Sequence, residues 1–329
     1  MQTETISYNQ VVSVGCGIDV HQNLIVATIR KSNDNYETRS YEGYTSSLTE
    51  LREWCKSEGV THVAMESTGV YWKPVFNILE EDLQIILVNA RHVKNVPGHK
   101  TDKKDSAWLS KLLLSGLLKG SFIPPQDIRE LRDLVRYKKK VVSDMAREKS
   151  RIIKVLEDAN IKLSSVLSNV DGAVGSRIID EIIDGNYDSS ELLKHYHGKI
   201  KASKETFKKS LEGRITKHHR FMLKLIKQSI TDKENLIIVL DAQIEEASKD
   251  YIVEIELLQS IPGVGKSSAV SILSEVGGNM EVFATEHHLS SWAGMSPGNN
   301  ESGGKKKHKK YPWKQVSTND FSRMWVGCK

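Results

Sequence analysis

Lys100-Thr101-Asp102-Lys103-Lys104-Asp105-Ser106-Ala107 runs directly into Trp108-Leu109-Ser110-Lys111-Leu112-Leu113-Leu114. The leucine spacing predicts a helix that begins around Asp102. Residues three apart share one helix face, so Asp102 and Asp105 point the same way. Acidic side chains in a first turn are favoured by the helix macrodipole, and this accounts for either aspartate alone. It does not account for Asp19 and Glu66, each of which ends an apolar, strand-like run. Four acids arriving from three such elements predict a metal-binding nuclease-type centre.

Upstream, Val11–Gly17 is a short apolar run ending at Ile18-Asp19, followed by runs at Leu24–Arg30 and Tyr36–Tyr41. Ser32-Asn33-Asp34-Asn35 is a turn, so the three runs predict a strand meander. Ser47-Leu48-Thr49-Glu50 has the form of a capping box opening a helix to about Ser57. His62–Met65 is a buried strand ending at Glu66, Tyr71–Glu81 a helix with Pro74 in its first turn, and Gln84–Val88 another buried strand. The Asp102 helix closes the unit near Leu118. The order β-β-β-α-β-α-β-α fits a mixed sheet with helices packed on it, the element order of ribonuclease-H-like nucleases.

Pro124-Pro125 marks a boundary. From Asp127 to about Leu163, and again over roughly Ser203–Leu258 with a break near Thr231-Asp232, the pattern is helical with charged faces. Such helices form either an extended arm or coiled coil, which commonly serves dimerisation, or a globular bundle. Residues 164–201 carry weaker signals. The last domain opens with Ile261-Pro262-Gly263-Val264-Gly265-Lys266-Ser267, the hairpin of a helix–hairpin–helix motif whose glycines let backbone N–H groups approach a phosphate. A tight turn needing glycine is the plainer alternative. A P-loop is excluded, because four residues must separate its first glycine from Gly-Lys and only Val264 stands there. After a short helix at His288–Gly294, a loop from Met295 to Gly304 runs into Lys305-Lys306-Lys307-His308-Lys309-Lys310.

The formal net charge of +5 is unevenly spread, with lysine and arginine concentrated at Arg136–Lys154, Lys199–Lys227 and Lys305–Lys310. Uneven basic charge favours a polyanionic partner over a plain solvated surface. Cys16, Cys55 and Cys328 form neither a ligand pair nor a disulfide framework. The start of the chain lacks a signal-peptide layout and no apolar run is long enough to span a bilayer. A soluble cytoplasmic, nucleoid-associated protein with no membrane partner is expected.

Phosphodiester cleavage needs a nucleophile aligned with phosphorus and positive charge where negative charge develops. Two divalent ions held by carboxylates supply this. Mg2+ takes oxygen ligands and keeps several waters, so three or four carboxylates from different elements suffice. Without a cation, four converging carboxylates repel and one is forced to protonate. Asp19, Glu66, Asp102 and Asp105 are the candidate two-ion magnesium ligands. Ser302, between Glu301 and Gly303-Gly304 beside the lysine run, is a hydroxyl placed to attack a phosphate whose oxygens the cations hold, although a lone Ser-Gly-Gly is more often a polar loop. Gly263, Gly265, Lys266, Lys305, Lys306 and Lys307 are the candidate DNA contacts. The pairs His218-His219 and His287-His288 lack partners at ligand spacing and are expected on the surface; Tyr71 and Trp72 are expected to pack rather than stack on bases.

Gly17-Ile18-Asp19-Val20-His21, Met65-Glu66-Ser67-Thr68-Gly69-Val70-Tyr71-Trp72 and Lys100-Thr101-Asp102-Lys103-Lys104-Asp105-Ser106 stand in the order of the DEDD transposases of the insertion-sequence-110 family. Ile261-Pro262-Gly263-Val264-Gly265 and Trp292-Ala293-Gly294-Met295-Ser296-Pro297…Glu301-Ser302-Gly303-Gly304-Lys305 follow suit. The chain resembles this family, to which the pilin-gene invertases also belong, from Val14 to about Lys310. The resemblance implies a RuvC-like domain at 11–123, a coiled-coil arm at 124–256 and a transposase domain at 257–310. It also implies metal-binding Asp19, Glu66, Asp102 and Asp105 and the nucleophile Ser302. It implies an oligomer in which the acidic domain of one protomer completes the serine site of another, acting on element ends and target DNA. Some members choose their DNA with a structured RNA transcribed from the element's own ends, which leaves a guide RNA open here. A stand-alone RuvC-like junction nuclease needs the acids but not Ser302, and a nucleic-acid-binding scaffold needs neither.

After Lys310 the chain departs from the family. It reads Tyr311-Pro312-Trp313-Lys314-Gln315-Val316-Ser317 where members continue Thr-His-Gly-Asn-Lys-Tyr-Leu. Codons TAC CCA TGG AAA CAA GTA TCT, a permitted encoding of Tyr311–Ser317, read one nucleotide later as ACC CAT GGA AAC AAG TAT, or Thr-His-Gly-Asn-Lys-Tyr. The glycine is forced because tryptophan has a single codon. Residues 311–329 are therefore expected to be an out-of-frame, poorly packed tail and the transposase domain incomplete, leaving a weak or inactive recombinase.

Overall fold

The computed structural model describes residues 12–31, 35–67, 69–89, 105–118 and 120–295, and the backbone of 301–302 and 305–306. The chain divides into two compact units, Met1–Ile123 and Pro124–Lys329.

The first unit is a mixed sheet of five strands in the order β3-β2-β1-β4-β5. β1 (Val14–Val20), β2 (Leu24–Lys31) and β3 (Tyr36–Glu42) form the antiparallel meander that the turn residues predict. β4 (His62–Glu66) joins β1 in parallel and β5 (Gln84–Val88) joins β4 in parallel. Alternation along the strands gives the sheet two unlike faces. Cys16, Ile18, Val20, Ile25, Ala27, Val63 and Met65 point to one face and pack against α1 (Thr45–Ser57) and α2 (Trp72–Leu79). The other face is covered by α3 (Asp105–Leu114), through Leu109, Leu112 and Leu113 over Ala64 and Val88. Burying each of these leucines contributes roughly 1.5–3 kcal/mol.

Three local expectations are corrected. The capping box at Ser47 is absent: α1 starts two residues earlier, at Thr45, with Tyr44 at its N-cap and no side-chain cap, so Ser47 lies inside the first turn. Thr45 is taken into the helix by Thr49, whose hydroxyl donates to its carbonyl at 2.9 Å. α3 ends at Leu114 rather than near Leu118, because Gly116 has a φ of +65°, a left-handed backbone that stops the helix. Trp72 packs on the core, edge-on to Phe76, whereas Tyr71 is exposed.

The second unit is built on two long helices, α4 (Gln126–Asp158) and α9 (Lys217–Ala247). They run antiparallel: Ile152 and Leu156 late in α4 meet Leu223 and Ile226 early in α9, while Ile128 and Leu131 share a cluster with Ile244. The break expected near Thr231-Asp232 does not occur. Gln228 donates to Asp232 one turn along at 2.8 Å, and the buried Ile230 is packed in the interior, so tertiary packing outweighs the weak helix propensity of Thr and Asp. The stretch with weak sequence signals contains α5 (Leu163–Val166), α6 (Ala173–Asp184) and α7 (Ser189–Leu192), followed by α8 (Lys204–Ser210). His219 is a further correction. It is buried, bonds Asp158 at 2.9 Å and completes the capping box of α9 with Thr216, while His218, His287 and His288 are exposed.

At the other end, α10 (Ile252–Gln259), α11 (Lys266–Val276) and α12 (Glu286–Trp292) share an apolar cluster with the start of α4. Glu275, only 4% exposed, locks α11 there. Its two carboxylate oxygens accept from Arg136 at 2.8 Å each, and Arg132 donates to the Ser274 and Glu275 carbonyls at 2.9 Å. A buried carboxylate needs such pairing. Burial holds Arg132 below the usual arginine range, with Glu275 opposing the shift.

Candidate active site

The strand registers place two of the four expected acids side by side. β1 and β4 pair in parallel with Gly17 opposite Ala64 and Ile18 opposite Met65, so the next step sets Asp19 beside Glu66. Both strands approach their C-terminal ends here, the end of an α/β sheet where sites collect. Alternation puts Asp19 on the same face as Gly15 and Gly17, and Glu66 on the same face as Ala64. That is the face covered by α3.

The glycines fix how α3 lies. A Cβ at Gly17 would overlap the carbonyl oxygen of Ser106 and the amide nitrogen of Ser110; one at Gly15 would meet Leu113 Cδ2 at 2.8 Å. As β1 advances from Gly15 to Gly17, its neighbours on α3 go back from Leu113 to Ser106. α3 therefore runs against β1, and its first residue, Asp105, lies toward the strand end that carries Asp19. Hydroxyls hold this contact: Thr28 Oγ1 is 2.8 Å from Ser106 Oγ and 2.9 Å from Thr38 Oγ1, and Arg30 Nε donates to Ser110 Oγ at 3.3 Å. All four of Thr28, Arg30, Ser106 and Ser110 are buried. They are absent from the sequence reading, although Gly-x-Gly-x-Asp at 15–19 is its visible trace: two residues without side chains, then a carboxylate, on one strand face.

Asp19, Glu66 and Asp105 are each half-buried, open enough to meet a ligand. Asp19 Oδ2 lies 3.1 Å from Nε2 of the exposed His21, a neighbour the sequence reading also missed. Among the described residues, no three His, Cys, Asp or Glu side chains are arranged as a metal set. Asp102 lies outside the described residues. The donors present, hard carboxylate oxygens from two neighbouring strands and a helix start, fit the chemistry of Mg2+.

Ser302 belongs to the other unit. The backbones of Glu301-Ser302 (β6) and Lys305-Lys306 (β7) pair antiparallel, with Ser302 opposite Lys305 and Glu301 opposite Lys306. The loop expected there thus includes two short strands paired antiparallel. Lys307 and residues 311–329 lie outside the described residues. Between α10 and α11, Gly263 has a φ of +86°, which calls for glycine. Gly265 is the N-cap of α11 at a φ of −84°, and a Cβ on either glycine would meet nothing within 4 Å. Lys266 Nζ donates to Glu245 at 2.6 Å, so its charge is already paired within the chain.

Two family models match. One, the transposase domain of the IS110 group named for its DEDD acids, covers residues 16–161. The other, the transposase IS116/IS110/IS902 family, covers residues 255–318. The first spans Asp19, Glu66, Asp102 and Asp105; the second spans Gly263, Gly265, Lys266 and Ser302 and continues past Lys310 to residue 318. No curated protein matches the chain.

Proposed function

This chain belongs to the IS110 family of transposases and is a DNA transposase; we propose that it excises and inserts its own mobile element, using a carboxylate tetrad and a serine nucleophile. The observation that carries the reading is the register of β1 and β4, which sets Asp19 beside Glu66 under the helix that begins at Asp105. With Asp102, these side chains would hold magnesium, which when bound supplies positive charge at the scissile phosphate. Ser302 Oγ bonds to phosphorus as one sugar–oxygen bond to phosphorus breaks, leaving DNA covalently attached to the protein. Attack on that adduct by a sugar hydroxyl of the exchanged strand restores a phosphodiester and frees the serine, so the bond count is conserved without an external energy source. Lys305 and Lys306 lie on the strand paired with Glu301-Ser302, where ammonium groups offset the phosphate charge. Gly263, Gly265, Lys266 and Lys307 complete the DNA contacts, the α10–α11 connection acting as a helix–hairpin–helix. The protein works as a homo-oligomer through the α4–α9 arm, on element ends and target, with a guide RNA as a further partner to be sought in pull-downs.

Recombination in cells tests the tetrad. Asp19→Asn, Glu66→Gln, Asp102→Asn and Asp105→Asn each remove one charge at nearly constant volume. Each should lower recombination by at least about a hundredfold, in the range seen when an electrostatic catalytic group is lost, while leaving the circular dichroism spectrum intact. Wild-type recombination in Asp19→Asn and Asp102→Asn would refute the site. A covalent protein–DNA adduct that disappears in Ser302→Ala separates this reading from a stand-alone junction nuclease.

We also propose that the reading frame changes near Tyr311 and that activity is weakened by it. The codon relation described above supports this. The family match runs to residue 318, past Tyr311. The nucleotide sequence decides: codons that cannot give Thr-His-Gly-Asn in the neighbouring frame end the idea.

A further inference from the structure

α9 divides its charge in two. From Lys217 to Ile230 it carries Lys217, Arg220, Lys224 and Lys227 and no acid; from Asp232 to Ala247 it carries five acids and the single cation Lys233. Both ends oppose the helix's own electrostatics. Lys217 stands in the first turn and Glu245 and Glu246 in the last, each the wrong sign for the macrodipole. Like charges also sit one turn apart, Arg220 with Lys224 and Asp241 with Glu245, a further cost within the helix.

Part of this charge is met inside the unit. Lys227 pairs with Asp180, Arg220 donates to the Ile183 carbonyl, and Asp241, Glu245 and Glu246 pair with Lys138, Lys266 and Lys249. Lys217, Lys224 and Glu234 make no ion pair among the described residues. The inner side of α9, Leu223, Ile226, Ile230, Leu240 and Ile244, is consumed by the unit's own core. A second track at steps of four and three residues faces outward: Phe221, Leu225, Gln228, Asp232, Asn235, Val239. Phe221 is 59% exposed, Leu225 49% and Val239 59%, with Ile238 beside them at 66%. This is a heptad seam with apolar ends and a polar middle, on the outside of a helix that already has one seam filled.

We propose that this outer face of α9 is a two-fold, antiparallel interface with a second copy of the same chain, centred near Thr231. The inference rests on the oligomer proposed above and assigns its face and direction. Antiparallel pairing brings the basic half of one copy onto the acidic half of the other, with Lys217 against Glu245. It also sets Phe221 against Val239 and Gln228 against Asp232, so apolar layers close the ends and the polar layers set the register. A parallel pair would instead stack cations on cations and acids on acids. Nucleic acid fits the basic half and is repelled by the acidic half, which leaves a second copy as the occupant that uses the whole face.

Crosslinking of the full-length chain carrying Cys328→Ser tests this, with Cys16 and Cys55 buried and out of reach. Thr231→Cys should give a disulfide-linked dimer under copper–phenanthroline. Lys217→Cys alone should give none, but a mixture of Lys217→Cys and Glu245→Cys chains should crosslink. Phe221→Asp with Leu225→Asp should weaken the dimer by at least about a hundredfold in light scattering, the loss expected from disrupting a buried apolar anchor, at unchanged helicity. Self-crosslinking of Lys217→Cys, or a dimer that crosslinks at none of these positions, overturns this face and direction while leaving the oligomer standing. A monomer at micromolar concentration overturns both.

Discussion

Two helices that present candidate site residues are held by opposite means. α3 lies on its sheet by close approach: Gly15 and Gly17 give β1 no side chain in the contact, and the hydroxyls of Thr28, Ser106 and Ser110, the last taking a bond from Arg30, hold the polar part of it. α11, which follows the glycine turn, is held by charge, the buried Glu275 carboxylate between Arg132 and Arg136. The first arrangement is intolerant of volume and the second of lost charge. The proposed carboxylate centre gains from the first kind, because the part of the contact nearest Asp19 is held by the neutral hydroxyls of Thr28 and Ser106, while the Arg30 charge enters farther along β1, opposite Gly15.

The sharpest way to break the comparison is Gly17→Val. Its Cβ overlaps the α3 backbone, which cannot rotate away, so stability should fall by about 4 kcal/mol or more, read in urea unfolding. Glu275→Ala should cost about 3 kcal/mol by stranding two part-buried guanidinium groups. Glu275→Asp should recover part of it, whereas no polar substitution should rescue Gly17→Val. Thr28→Val keeps the shape and removes the hydroxyl shared by Ser106 and Thr38. It should cost roughly 1–2 kcal/mol, and unchanged stability would mean that the hydroxyl ladder does not hold α3.

The smallest effect concerns pH on the charged side of the comparison. Tyr251 donates to Asp127 at the start of α4, and burial, then the bond to that carboxylate, pushes its phenol up to about 12. The folded pKa lies above the ordinary 10, so this contribution is fully present below pH 10 and is lost as pH rises toward 12. Thermal melts should show this alkaline decline in the wild type and a shallower one in Tyr251→Phe; parallel declines would remove Asp127–Tyr251 from the account.

What could be read from the sequence follows from how local each signal is. The element order of the first unit and the bounds of β5 were legible because alternation and turn residues act over a few positions. Asp19, Glu66 and Asp105 stand out in the sequence only as acids near element ends. Their placement on one face came from the β1–β4 register and from α3 running against β1, both set by packing between residues far apart in the chain. Ser47 failed as a cap and Thr231-Asp232 failed as a break for the same reason: weak local preferences of a fraction of a kcal/mol to about 1 kcal/mol yield to burial of neighbouring apolar side chains. His219 looked like a surface residue because its partner, Asp158, is far away along the chain. The split charge of α9 was written in the sequence throughout. That it lies beside an outward heptad track could be decided only once α4 had taken the other side of the helix, since a helix alone does not determine which of its faces is buried.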